Sequence, residues 1–245
     1  MQDLSKQILS KLVNKQKLMK RKSIVAVVFL IFICLGINAP ANATSAVYIP
    51  IKNAGFEDPF LEVKDYYTVN TPPGWSTYDP NSLIPEQPTV QTSYVGVTNA
   101  TPSSAFYDQK VPEGRNMGSV YLAHEPGSGI AGLEQTLDTV LESNKNYTLI
   151  VDIGNSADGY KDISLADFPG YRVELLAGDK VIAADHNSVY IKEGEFKTSM
   201  IKFTAKPDSP YLGQKLGIRL INSLQSLSGN IDFDNVRLTV ESAVI

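Results

Sequence analysis

The sequence predicts an all-β fold in which two sheets pack face to face. Three features carry that prediction. Apolar and polar residues alternate with period two along much of the chain, helical periodicity is nearly absent, and clusters of Gly, Pro, Asn and Asp interrupt the alternation at short intervals. About ten short strands separated by turn signals suit a β-sandwich.

The first 43 residues stand outside that pattern. A basic stretch, KQKLMKRK, precedes an unbroken apolar run from Ile24 to Leu35 and then INAPANA, with Ala41 and Ala43 at the small-residue positions of a cleavage site. This is the order of a secretory signal peptide. Met19, followed by KRKS, makes a tidier signal start, so residues 1–18 read as an upstream extension. Cleavage after Ala43 leaves residues 44–245 as a single domain of 202 residues with 15 basic and 25 acidic side chains, a net charge of −10. Such a surface argues against nucleic acid or anionic membranes as partners and suits cations. The one cysteine, Cys34, lies in the apolar run, so the remaining chain has no disulfide. No later run is apolar enough for a transmembrane anchor. The expected product is secreted, periplasmic or extracellular.

The strands follow in order. AVYIPIKN, TVQTSYVGV, GSVYLA and GIAGLEQTL are the early candidates. NYTLIVDIGN puts Tyr147, Leu149, Val151 and Ile153 on one face. YRVELLAGDKVIAAD reads as two strands joined at Gly178-Asp179, where glycine supplies the positive φ of a tight hairpin. FKTSMIKFTA and KLGIRLINS continue the alternation, with Leu216, Ile218 and Leu220 facing one way. The stretch from Glu62 to Pro112, with seven prolines from Pro72 to Pro112, reads as long loops on one rim. A second loop region, SADGYKDISLADFPG, follows the Tyr147 strand. In the last strand, NIDFDNVRLTV, Ile231 and Phe233 fall on odd positions but Val236, Leu238 and Val240 on even ones. Either a β-bulge near Asp234 and Asn235 restores the phase, or Phe233 packs on the second face.

NAGFEDP, PPGW, VPEG, GLEQTL, YTLIVDIG and IDFDNVRLT occur in a telling order over nearly all of residues 44–245. In that order the chain resembles the galactose-binding-like jelly rolls that include many carbohydrate-binding modules, and their secreted bacterial relatives. The resemblance implies a jelly-roll β-sandwich whose first and last strands lie side by side. It also implies a structural calcium ion held by Glu57 and Asp234, with Asp232 as a further candidate and backbone carbonyls completing the shell. The alternative is a pair of solvated acids on an edge strand.

For a glycan ligand the loop aromatics Tyr66, Tyr67, Tyr78, Tyr107 and Tyr160 are the candidates. Trp75 reads either as a core aromatic or as a sugar-stacking platform. His124 and His186 are 62 positions apart and show no zinc spacing. EPGSGIAG lacks the first glycine of a nucleophile elbow. No catalytic residue is therefore expected. The reading is a secreted, non-catalytic carbohydrate-binding module whose partner is a polysaccharide or other glycan. The alternatives are a structural or adhesive protein of the cell surface or matrix, and a glycan-active hydrolase.

Overall fold

The alternating segments form two antiparallel sheets, and the phase break in the last strand is the feature that shapes them. The computed structural model describes residues 46–62, 66–99, 106–157, 165, 167–227 and 229–243, all within the unit Thr44–Ile245. The expected signal peptide and Tyr160 lie outside the described residues. Twelve strands and no helix occur among those described. They are β1 (Val47–Ile49), β2 (Tyr67–Thr68), β3 (Ser76–Tyr78), β4 (Tyr94–Asn99), β5 (Asn116–Tyr121) and β6 (Ala131–Val140). After these come β7 (Lys145–Asn155), β8 (Tyr171–Ala177), β9 (Lys180–His186), β10 (Glu195–Ala205), β11 (Lys215–Asn222) and β12 (Asn230–Ser242). One sheet runs β10-β7-β12-β5-β4-β2, with β1 added beside β12; the other runs β3-β6-β11-β8-β9. The short strands β2 and β3 fall where the prolines predict loops.

The core lies between the sheets. Tyr147, Leu149, Val151 and Ile153 of β7 face Leu216, Ile218 and Leu220 of β11 within one buried cluster, as the alternation predicts. The predicted bulge is present. Asp234 pairs with Asp152, but Arg237 pairs with Ile150, so two residues of β12 oppose one of β7. Asn235 takes φ +51° there. Ile231, Phe233, Val236 and Leu238 consequently all reach the core. The bulge also changes the neighbour of β12. β5 pairs with it from Asn230 to Phe233, and β1 from Leu238 to Val240.

NAGFEDPF closes the gap between those neighbours. Asn53 shapes the turn, its Oδ1 accepting the Asp58 N–H at 3.0 Å and its Nδ2 donating to the Asp58 carbonyl at 2.6 Å. Phe56 is fully buried, stacks on Trp75 at 5.3 Å between centroids, and packs over Gly118, where a Cβ would stand 2.7 Å from its ring. The Val236 N–H then reaches the Ala54 carbonyl at 3.0 Å. Glu57 thus leaves a pinned turn, and the expected edge-strand position is corrected.

Deleting Asn235 would turn Val236 and Leu238 to the outer face, and no folded protein is expected. Asn235→Gly should fold normally, whereas Asn235→Val should cost about 1–2 kcal/mol for a branched side chain at positive φ. Urea denaturation of the two variants checks the difference.

Candidate active site

With the odd residues of β12 turned inward, Asp232 and Asp234 must face the other way, onto the outer surface of the seven-stranded sheet. Register fixes what surrounds Asp232. It stands opposite Gly154 of β7 on one side and Ser119 of β5 on the other, and Ser119 in turn stands opposite Gly96 of β4. One step along, Asn230, Tyr121 and Tyr94 form the next row. Over these strands opens a cavity of about 530 Å³ lined by Tyr66, Tyr67, Tyr94, Tyr121, Phe106, Met117 and Leu165, with Thr98, Ser156, Asn230 and Asp232 as its polar part. Tyr66 and Tyr67 meet edge to face at 5.3 Å, and Tyr94 and Tyr121 lie 5.6 Å apart. The walls are therefore largely aromatic, and the one charged group in the lining, among the described residues, is the Asp232 carboxyl.

That carboxyl is 1 % exposed. Oδ2 accepts hydrogen bonds from the Tyr107 hydroxyl at 2.5 Å, the Ser156 hydroxyl at 2.8 Å and Asn230 Nδ2 at 3.1 Å. Among the described residues Oδ1 meets one partner, the Ser119 hydroxyl at 2.5 Å, and Ser119 also touches Thr98 Oγ1 at 2.8 Å. Burial pushes the Asp232 carboxyl above the usual carboxylate range, and the four hydrogen bonds pull it back only in part. Burial, with the Asp232 charge as second cause, also raises Tyr107 and Tyr94, so both phenols stay protonated donors. Oδ1, with one hydrogen-bond partner among the described residues, is the oxygen placed to carry a proton. Ser119 has one hydrogen, so a proton on Oδ1 can be donated to Ser119 while Ser119 donates to Thr98.

The other predicted residues separate into distinct places. Tyr66 and Tyr67 line the cavity, while Tyr107 is buried beneath it and serves Asp232. Trp75 is a core residue, 7 % exposed, with its Nε1–H donated to the Asn53 carbonyl at 3.1 Å, which corrects the stacking-platform alternative. Tyr78 lies on β3 in the opposite sheet under the Arg219 guanidinium, 4.2 Å from its ring centre, away from the cavity. Glu57 and Asp234 do converge, on the loop 111–116. Glu57 Oε1 accepts the N–H groups of Arg115 and Asn116, each at 2.8 Å, and Asp234 Oδ2 accepts the Glu113 N–H at 2.8 Å. Beside them Asn116 Oδ1 is buried without a hydrogen-bond partner, the kind of orphaned oxygen a hard cation would satisfy. No group of three or more His, Cys, Asp or Glu side chains with metal-site geometry occurs among the described residues. Asp232, ringed by hydroxyls and an amide, belongs to the cavity.

Sequence reasoning missed Ser119, Tyr94, Tyr121, Ser156 and Asn230. The β-sandwich thus carries an aromatic-walled cavity with a raised carboxyl at its base. Residues 47–239 match the HpiC1-like family of HpiC1 cyclases, and the chain belongs to that family. It is 64 % identical to the Stig cyclase Fisc from Fischerella sp. TAU, in complex with (3Z)-3-(1-methyl-2-pyrrolidinylidene)-3H-indole. That match spans 82 % of this chain and 100 % of the other, with a TM-score of 0.79. A cyclase from the same organism in complex with 4-(1H-indol-3-yl)butan-2-one is 63 % identical over 82 % of this chain and all of that one, with a TM-score of 0.79. An apo cyclase from Fischerella sp. is 62 % identical over 82 % and 99 % of the two chains, with a TM-score of 0.80. No curated protein matches the chain.

The family corrects the expected identity and function. The chain is not a carbohydrate-binding module, and the readings as an adhesive matrix protein and as a glycan hydrolase fall with it. Polysaccharide and matrix partners are overturned by relatives crystallised with small indoles, and the expectation of a non-enzyme by membership of a cyclase family.

Asp234 gives this region a pH signature. Burial raises its carboxyl from 3.8 to about 8 against the pull of the Glu113 and Asn235 N–H groups. The native state therefore keeps a proton that the unfolded chain releases near pH 4, so stability falls as pH climbs from about 4 toward 8. Calorimetry in chelator should show the melting point dropping over that window on the order of 5 °C or more, and Asp234→Asn should flatten the slope.

Proposed function

We propose that this chain is a cyclase that closes a ring on a small, indole-bearing substrate, with Asp232 as the proton donor. The observation that carries the reading is a buried carboxyl, whose affinity for a proton burial raises, at the base of an aromatic cavity of about 530 Å³. The cavity falls within the size range of small-molecule sites, and relatives at 63–64 % identity hold 3-substituted indoles.

The chemistry follows from the surroundings. The indole lies among the rings of Tyr66, Tyr67, Tyr94 and Tyr121. Asp232 transfers its proton from Oδ1 to an electron-rich atom of the substrate, leaving a carboxylate on the protein and a cation on the ligand. Tyr107, Ser156 and Asn230 already donate to Oδ2, so the carboxylate forms in a ready-made set of donors with little rearrangement. Aromatic faces stabilise the cation by roughly 0.5–2 kcal/mol each. A new bond closes the ring, a proton leaves the cyclised product, and the Asp232 carboxylate takes it back. The reaction is an isomerisation with no co-substrate. Apolar walls exclude water that would otherwise capture the cation.

Three further parts belong to this proposal. The strand order, with β1 laid beside β12, supports a jelly-roll reading of the sandwich. Residues 1–43 read as an export signal, so the enzyme would act outside the cytoplasm; among the described residues no helix is long and apolar enough to cross a membrane. Glu57, Asp234 and the orphaned Asn116 oxygen would hold a structural calcium ion whose role is to tie loop 111–116 to β12. Chelator should lower the melting point and added calcium restore it, with Glu57→Gln blunting the response; an unchanged melt in chelator argues against the ion.

Asp232→Asn tests the function. Turnover of an indole-bearing precursor should fall by about 10²–10⁴-fold, while binding of 4-(1H-indol-3-yl)butan-2-one stays within a few-fold. Wild-type activity should decline as pH rises through the Asp232 titration, since the protonated form is the acid. Undiminished turnover in Asp232→Asn would overturn the assignment.

A further inference from the structure

Tyr107 is held in place by a device that neither the cavity nor the family match accounts for. Residues 106–109 cross the outer face of the seven-stranded sheet as a strap. Its backbone is pinned at both ends: the Ala157 N–H donates to the Phe106 carbonyl at 2.8 Å, and the Asp108 N–H to the Gly194 carbonyl at 3.0 Å. Between those pins the Tyr107 ring inserts into the sheet surface at Gly154. A Cβ on Gly154 would stand on the Tyr107 hydroxyl and 2.6 Å from the Phe196 ring. Phe196, directly opposite Gly154 on β10, stacks on Tyr107 with centroids 4.2 Å apart and planes 27° from parallel. Tyr107, Met117 and Phe196 form an apolar cluster separate from the main core, with Phe106 and Val111 packed against it.

We infer that Gly154 and Phe196 are positioning residues, forming a seat that aims the Tyr107 hydroxyl at Asp232 Oδ2. The inference deepens the proposed function and rests on it for its kinetic consequences, but the seat itself is a statement about geometry. Stacking fixes the ring plane and the missing Cβ sets its depth. Together they let a hydroxyl on a loop meet a carboxyl on a central strand at 2.5 Å. Phe196 does not line the cavity. Its influence on turnover must pass through the side chains it packs on, and a cycle with Tyr107→Phe separates the Tyr107 route from contacts through Met117 and Phe106, which line the cavity.

The test combines a double-mutant cycle with a spectroscopic readout. Phe196→Leu keeps an apolar side chain but removes the ring. It should lower kcat about tenfold, as a small displacement of an aligned group does, with little change in affinity for 4-(1H-indol-3-yl)butan-2-one. In a Tyr107→Phe background the same substitution should cost almost nothing more, and Phe196→Tyr, which keeps the ring, should restore kcat. The buried Tyr107 hydroxyl proton should give a slowly exchanging proton resonance in protein with labelled tyrosine. That resonance should disappear in Tyr107→Phe, Phe196→Leu and Gly154→Ala. Additive kcat effects of Phe196→Leu and Tyr107→Phe, or an unshifted hydroxyl resonance in Phe196→Leu, would overturn the seat. If the wild-type protein turns over no indole substrate, the proposed function fails, and the resonance alone then decides the seat.

Discussion

The structure depends on one extra residue in β12. A strand with strict alternation could bury Ile231 and Phe233 or Val236 and Leu238 against the opposing sheet, but not both pairs. Asn235 at φ +51° absorbs the mismatch, and all four reach the core. Everything on the outer face follows from the same phase. Asp232 and Asp234 are forced outward because their neighbours are forced inward. Asn235 and Arg237 are turned toward Asp152, which stands opposite Asp234 and would otherwise be a like charge facing it. Asn235 Nδ2 donates to Asp152 at 2.9 Å and Arg237 Nη2 at 3.2 Å. At the bulge β12 also exchanges β5 for β1, and the turn after β1 brings Phe56 under Gly118 and Glu57 to loop 111–116.

Two carboxyls two residues apart on one strand are thereby given different surroundings. Asp232 lies among hydroxyls and an amide that can donate or rotate, beneath a cavity open to a ligand. Asp234 lies among backbone N–H groups that cannot rotate, with the Glu113 and Asp152 charges close by. Side-chain donors suit a group that changes charge during a reaction, since each hydroxyl can reverse its bond. Fixed backbone donors suit a group whose charge state is constant, whether neutralised by a proton or by a cation. The division is a consequence of what covers each end of the strand: the strap carrying Tyr107 beside Asp232, and loop 111–116 over Asp234.

Much of the fold was legible in the sequence because burial between two sheets enforces period two. The faces of β7 and β11, the hairpin at Gly178 and the bulge itself could all be read from the spacing of apolar residues. β2 and β3 were not legible, since two or three residues carry no period. The site was only partly legible. Asp232 stood out, but as a further candidate for the calcium ion that the resemblance to galactose-binding-like jelly rolls implies. Nucleophilic and metal catalysis leave spacing motifs, and their absence argued against an enzyme. Acid catalysis by a single buried carboxyl leaves none. Ser119, Ser156 and Asn230 lie far from one another in the chain and meet only through strand register. A signal was available: a charged residue flanked by Ile231 and Phe233 in a central strand must face outward, and a long aromatic-rich loop must cover it.

The same reasoning explains how a recognition fold accommodates catalysis with so few parts. A β-sandwich already offers a broad sheet surface roofed by loops, and aromatic side chains on those loops suit a flat, weakly polar ligand whether or not it reacts. In the proposed function, what separates binding from turnover is the protonation state of one group. A solvated aspartate at Asp232 would be ionised at neutral pH and could only accept. Burial pushes against that preference and the donors on Oδ2 limit the push, which is the balance the proposed proton transfer to a basic ligand atom requires. Too few donors would leave an acid too weak to protonate anything, and a full shell on both oxygens would leave it permanently ionised. The uneven arrangement, three donors on Oδ2 and one reversible partner on Oδ1, lies between those limits.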